Sequence, residues 1–252
     1  MSPRRHSWIL VAVAAVLALL AGSAAARTQI TVYAAASLTN AFPKIDPAAR
    51  YSFGGSNTLA AQIGQGAPAD VFASANTKLP KELAAKGLCS KPVVFTRNAL
   101  VIVVPKANPA GIRTVHDLAK PGIKLDVANA GVPVGGYTLQ VLKNLRLSKA
   151  VLKNVVSRES DVRSVLAKVA LGEADAGFVY STDARTAPGR VKAIPLPAAA
   201  QANVQYGVCV VASSAHKADA QAFVARLLSK AGQATLLRYG FLPRVDPAAK
   251  KK

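Results

Sequence analysis

An α/β fold of two lobes with a cleft between them is the architecture this sequence predicts. Three observations point there. A short β-rich run passes through small residues into a helix at 30–42, and the pattern returns at 51–63 and 123–142. The stretch 99–104, Ala-Leu-Val-Ile-Val-Val, is continuously apolar, as suits a strand buried on both faces. The 252 residues, 51% of them hydrophobic, suffice for one large core or two smaller ones. The repeated strand–helix order points to a mixed or mostly parallel sheet in each half, and two such halves leave a cleft.

The first 26 residues are set apart from the fold. Arg4 and Arg5 make a basic start, 9–21 is apolar, and Ala24, Ala25 and Ala26 supply small residues for cleavage. This is the pattern of a secretory signal peptide cleaved near Ala26. No later segment holds 18 apolar residues in a row, so no spanning helix is expected. The mature chain is then an exported one. Its two cysteines, Cys89 and Cys209, fit either a disulfide, which an oxidising compartment permits, or two buried thiols.

The 32 Lys and Arg against 12 Asp and Glu give a net charge of +20. A field of that sign attracts anions, nucleic acid or acidic lipid. Only the tail, Lys250, Lys251 and Lys252, is a solid basic run. No nucleic-acid module, aromatic-and-basic interleaving or recognition-helix pattern accompanies the charge, so no nucleic-acid partner is expected.

The first strand spans 30–33. It runs through Ala34, Ala35 and Ala36 to Ser37, which is placed to start a helix ending near Ile45, limited by Pro43 and Pro47. The second strand, 51–53, enters Gly54, Gly55 and Ser56, with a helix through 59–63. Ser56 is read as a cap that still offers a donor. The third strand covers 70–73; Asp70 is placed to orient a backbone loop. A helix over 78–86 ends at Gly87. After the strand at 99–104, Pro105 and the Asn108-Pro109 pair turn the chain.

The segment 115–119 is a short helical turn and 123–128 a strand. The glycine-rich 131–137 then opens a helix, with Pro133 at its start and the Val134 main chain as a donor. Ser160 or Asp161 caps the next helix, whose apolar face is Val162, Val165, Leu166 and Val169; the Val162 N–H lies in its first turn. Arg163 reads as a solvated surface residue, with assistance to an anion as the alternative. The strand 174–180 ends in Tyr180, at the carboxyl end where open α/β sheets bind ligands. Strands at 191–196 and 206–212 and helices at 219–229 and 233–239 complete the chain. The expected division is 27–105 for the first lobe, 106–185 for the second and 186–252 for the return to the first, with the hinge near 105 and 186.

Catalysis has little support. His6, His116 and His216 have neither metal-like spacing nor a nucleophile partner. A Gly-x-Ser-x-Gly elbow, a zincin helix, a phosphate-binding loop and a dinucleotide fingerprint are all missing from the sequence. What recurs instead is an uncharged donor at a helix start: Ser37, Ser56, the Val134 turn and the Val162 turn, with the Tyr180 phenol beside them. Free N–H groups at helix N-termini form anion sites. A cleft lined this way holds a dianion without a counter-charge and favours ligands that need no acceptor.

At these residues the chain resembles the periplasmic molybdate-binding proteins of ABC transporters. The matching pieces are AAASLTNAF (34–42), GGSNTLAAQI (54–63), GAPADVFASA (66–75), GVPVGGY (131–137), ESDVR (159–163), GFVYSTDA (177–184) and RYGFLP (238–243). The resemblance implies a two-lobed periplasmic binding protein fold of type II with the ligand cleft between lobes. It implies a non-enzymatic protein that takes molybdate or tungstate, needs no cofactor and gives the metal no direct ligand. Its partners would be the small oxyanion and an inner-membrane ABC permease complex, and a periplasmic monomer is expected. The contacts implied are the Ser37 and Ser56 hydroxyls, the Val134 and Val162 main-chain N–H groups and the Tyr180 phenol. Two departures stand out: Val134 is bulkier than the family's alanine, and Asn57 replaces a frequent serine. A binder of sulfate or another tetrahedral oxyanion, and a secreted α/β hydrolase or transferase, are the competing possibilities.

Overall fold

The structure, a computed structural model, describes residues 28–244. The segment read as a signal peptide, with His6, and the terminal lysines lie outside the described residues. The chain opens with β1 (Thr31–Ala35), a 3-10 turn (Ala36–Leu38) and helix α1 (Phe42–Ile45). Where one helix from Ser37 was expected, the turn and α1 are separate. Pro43 sits in the first turn of α1, the place where its missing N–H costs nothing, so the helix starts afresh there. Next come β2 (Arg50–Gly54), α2 (Ser56–Gly64), β3 (Val71–Ser74), α3 (Lys78–Ala85) and β4 (Val93–Asn98). Gly87, at φ +71°, stops α3 as its position implied.

Beyond Ala99 the elements are β5 (Leu100–Pro105), a 3-10 turn (Val115–Ala119), β6 (Leu125–Ala128), α4 (Pro133–Asn144), α5 (Ser148–Leu152) and β7 (Val155–Glu159). They continue as α6 (Val162–Leu171), β8 (Ala176–Tyr180), α7 (Ser181–Ala184), β9 (Val191–Pro195), β10 (Val204–Val210), α8 (Lys217–Leu228) and α9 (Lys230–Arg238). Strands β4 and β7 and helix α5 have no counterpart in the sequence-based expectation. Polar residues interrupt both strands: Thr96, Arg97 and Asn98 in β4, Ser157 and Arg158 in β7.

Two five-stranded sheets result, ordered β2-β1-β3-β10-β4 and β7-β6-β8-β5-β9. Each is mixed, and each has its reversed strand in fourth place: β10 runs antiparallel to β3 and β4, and β5 runs antiparallel to β8 and β9. This sheet membership moves the expected boundaries. The 100–105 strand pairs with β8 and β9 in the second sheet, Leu100 opposite Tyr180 and Val101 opposite Pro195, rather than closing the first lobe. Strand β9, expected in the returning first lobe after 186, stays in the second. The chain therefore crosses at Ala99 and again at 196–203. An apolar run buried on both faces is equally at home in either sheet, so composition could not place β5, and Pro105 ends the strand rather than the lobe.

The first lobe's core gathers Phe42, Phe95 and Phe223, with ring centroids 5.6–5.8 Å apart around Phe42. Phe95 in turn meets Tyr206 edge-on at 6.0 Å, and Phe241 does the same at 5.6 Å. These rings fix the position of Tyr206. Asp70 holds the Thr31 N–H at 2.7 Å and the Ser214 hydroxyl at 2.6 Å, the loop-orienting role its position implied. Cys89 and Cys209 are joined as a disulfide 120 residues apart, and the loop they close contains the whole second sheet. Closing a loop of this length restricts the unfolded chain by about 4–5 kcal/mol.

Asp126, on β6, is fully buried; neither carboxyl oxygen makes a well-formed hydrogen bond among the described residues, and its close polar neighbour is the Glu159 carboxylate. Burial, then the neighbouring Glu159 charge, pushes its pKa up to about 7, against the pull of Lys168. The folded state thus holds a proton that the unfolded chain gives up near pH 4. The stability this group contributes is complete below about pH 4 and is lost as pH rises through about 7. Thermal melting across pH 4–9 is expected to show the wild type losing stability toward neutral pH. Asp126→Asn flattens that slope and gains on the order of 2 kcal/mol over wild type at pH 8.

Candidate functional site

A cavity with about 210 Å³ of empty space, part of it open to solvent, lies between the two sheets. The residues proposed from the sequence meet in its wall: Ser37, Ser56, Val134, Val162 and Tyr180. None of the lining residues is Lys, Arg or His. Local structure supplies each of them differently.

Neither serine is the helix cap it was expected to be. Ser37 sits inside the 3-10 turn and is not its cap, and Ser56 is the first residue of α2, where Gly55 holds the cap position. Their hydroxyls are engaged in another way. The Ala75 N–H donates to Ser56 Oγ at 3.1 Å, so the Ser56 proton stays free for the cavity. Ser37 Oγ lies 2.8 Å from the Tyr206 hydroxyl, which itself accepts from the Asn98 side-chain amide at 3.3 Å. Donation from Asn98 to Tyr206 and from Tyr206 to Ser37 satisfies all three and leaves the Ser37 proton for the cavity. Asn98 is held in turn by its amide bond to Thr182 Oγ1 and by the Ala99 N–H and Ser181 hydroxyl on its oxygen. Burial drives the Tyr206 phenol pKa well above its ordinary value, so it stays a donor.

The second lobe contributes main-chain groups. Pro133 opens α4, and Val134 follows as its second residue, whose N–H has no acceptor within the helix. In α6 the cap is Asp161, which accepts the Arg163 and Ser164 N–H groups at 2.7 and 3.1 Å. The Val162 N–H is the first-turn donor left over. The other Asp161 oxygen takes the Ser164 hydroxyl at 3.1 Å, so this carboxylate, though in the cavity wall, has its oxygens engaged by the helix. Tyr180, 1% exposed at the end of β8, has a hydroxyl with no well-formed hydrogen bond among the described residues, its near polar neighbour being Tyr206. Burial again raises its pKa well above the usual phenol, with Tyr206 adding to the effect.

Sequence reasoning missed Tyr206 and Asn98. They come from β10 and β4 and carry no local motif; only the shared sheet sets them behind Ser37. It also misplaced Arg163. Its guanidinium is ion-paired at 2.7 Å with Asp183, a fully buried carboxylate on α7, instead of standing in solvent. Burial raises the Asp183 pKa to about 6, with Arg163 opposing.

Gly55 is needed for space rather than for conformation. Its φ of −62° suits any residue, but a Cβ there would lie 2.2 Å from the Ser160 carbonyl oxygen of the opposite lobe. The lobes meet here backbone to backbone. Gly55→Ala is expected to hold them apart and weaken ligand affinity about tenfold or more while the unliganded melting temperature changes little; titration calorimetry and thermal melting check it.

The sequence profile of the bacterial extracellular solute-binding proteins matches residues 30–242. The molybdate-binding protein ModA of Mycobacterium tuberculosis is 37% identical over 231 residues, which cover 88% of this chain and 87% of that protein. ModA of Haemophilus influenzae is 36% identical over 251 residues, covering 92% and 96%. The periplasmic molybdate-binding protein of Azotobacter vinelandii has the same fold, with a TM-score of 0.75 over 86% of this chain and 100% of that one at 24% identity. The chain belongs to the bacterial extracellular solute-binding protein family, among its ModA-like members with the type II periplasmic fold.

Proposed function

We propose that this protein captures molybdate or tungstate in the interlobe cavity and delivers it to an inner-membrane ABC permease. The anion is held by the Ser37 and Ser56 hydroxyls, the Val134 and Val162 N–H groups and the Tyr180 phenol, with no direct ligand to the metal and no cofactor. The protein acts as a monomer and has no catalytic role. The observation that carries this is the Tyr180 hydroxyl, buried in the cavity wall with no well-formed hydrogen bond among the described residues. A buried donor left unmade costs about 1–3 kcal/mol, which an oxyanion oxygen would restore.

The surrounding chemistry supports a fully deprotonated ligand. The donors converge, while the wall's one carboxylate, Asp161, has its oxygens engaged by its own helix. Monohydrogen phosphate would bring a proton with nowhere to go. Sulfate has the same charge and protonation as molybdate, so size alone separates them. The relatives named as molybdate-binding, at 36–37% identity over most of the chain, favour the larger ion. A hydrolase or transferase would need an acid–base group facing the cavity. Asp161 serves as a helix cap and Asp183 as the partner of Arg163.

Competition calorimetry with molybdate, tungstate, sulfate and phosphate tests the assignment. Molybdate and tungstate should bind tightly and displace sulfate; equal affinity for sulfate would move the assignment to a general oxyanion carrier. Ser37→Ala, Ser56→Ala and Tyr180→Phe should each weaken molybdate by roughly 10- to 100-fold, the worth of a hydrogen bond to a charged group, with the fold intact by circular dichroism.

A further inference from the structure

We propose that Arg163 and Asn40 form a clasp that closes the cleft over the anion and sets how slowly it leaves. The proposal rests on the oxyanion-binding function above. Arg163 does not line the anion cavity. It lines the neighbouring groove between the lobes together with Asn40 and Thr186. Two of its nitrogens are spent within the second lobe: Nε on Asp183 at 2.7 Å and Nη1 on Thr186 Oγ1 at 3.1 Å. Its Nη2 crosses to the first lobe and donates to Asn40 Oδ1 at 2.8 Å.

This division of labour suits a reversible latch. The Arg163 charge is balanced by Asp183 inside its own lobe, so parting the lobes breaks one charge-assisted hydrogen bond and strands no buried charge. The guanidinium is held within its own lobe at two points, the ion pair with buried Asp183 and the bond to Thr186. Each end of the clasp is also chained to the anion site. Asn40 lies three residues after Ser37, and Arg163 directly follows Val162, so the donors that meet the anion and the groups that join the lobes share the same two short segments. An anion that draws Ser37 and Val162 together brings Asn40 and Arg163 into reach. Arg163 is therefore a positioning residue for closure, not an anion ligand.

The test separates arrival from departure. Asn40→Ala leaves the Asp183–Arg163 pair intact, and Asn40→Asp restores an acceptor. Stopped-flow binding of molybdate is followed by fluorescence in each, alongside melting of the unliganded proteins. The clasp predicts a dissociation rate about tenfold faster in Asn40→Ala, an association rate within about twofold, an unchanged unliganded melting temperature, and recovery of slow release in Asn40→Asp. An unchanged dissociation rate in Asn40→Ala, or a fall in unliganded stability that accounts for the loss, overturns the clasp while leaving the binding function standing. A wild-type protein that binds none of the four oxyanions removes the function itself and the clasp with it.

Discussion

A hydroxyl group sealed from water needs an acceptor, and among the described residues none makes a well-formed hydrogen bond with that of Tyr180. Its ring is locked at the end of β8 against Tyr206, 5.7 Å away, and its oxygen faces a cavity of other donors. The two serines reach a similar condition by another route: each oxygen is already engaged by the protein, by the Ala75 N–H in one case and Tyr206 in the other, so the Ser56 proton is free and that of Ser37 is free wherever Tyr206 is the donor. The main-chain donors are left over because Asp161 satisfies the neighbouring positions of α6 and because α4 begins with proline. The site is a collection of deliberate shortfalls in hydrogen bonding, all facing one small volume.

Charge acts at a different range. The chain is strongly basic, yet no cationic side chain lines the cavity, and Arg163 in the neighbouring groove is tied to Asp183. A positive surface draws anions of every kind from a distance. Under the proposed function, contact would then discriminate by proton count and shape, because neutral donors offer nothing to a ligand that must itself donate. Fixed amides and hydroxyls also need no reorganisation when the ligand arrives, which limits the entropy of ordering.

Much of this was legible in the chain, and the failures are instructive. Ser37, Ser56, Val134, Val162 and Tyr180 stand where strands run out into short turns, so a pattern of strand, small residue and helix located them. Their local roles were less legible. Ser37 and Ser56 looked like caps because serine before a helix usually is one; here the long-range partners Tyr206 and Ala75 take precedence over local geometry. Arg163 looked solvated because its partner Asp183 lies twenty residues away on another helix. The lobe boundaries failed for a topological reason. Strand β5 carries no mark of which sheet it joins, and the pairings that decide it, with β8 and β9, involve residues about seventy-five to ninety-five positions further along.

The place of β10 between β3 and β4 has a bearing on how the molecule is assembled. The first sheet has a gap at its fourth position until the chain beyond residue 204 is present, whereas the second sheet is complete once β9 has emerged. During vectorial emergence from a translocon, the middle of the polypeptide can thus consolidate as a unit while the amino-terminal portion waits as a half-built scaffold. The late strand also carries Cys209 and Tyr206, so oxidation to the crosslink and completion of the pocket floor arrive in one event. Precursors truncated before that point would display an open β-edge, the kind of surface that recruits chaperones or seeds misassembly.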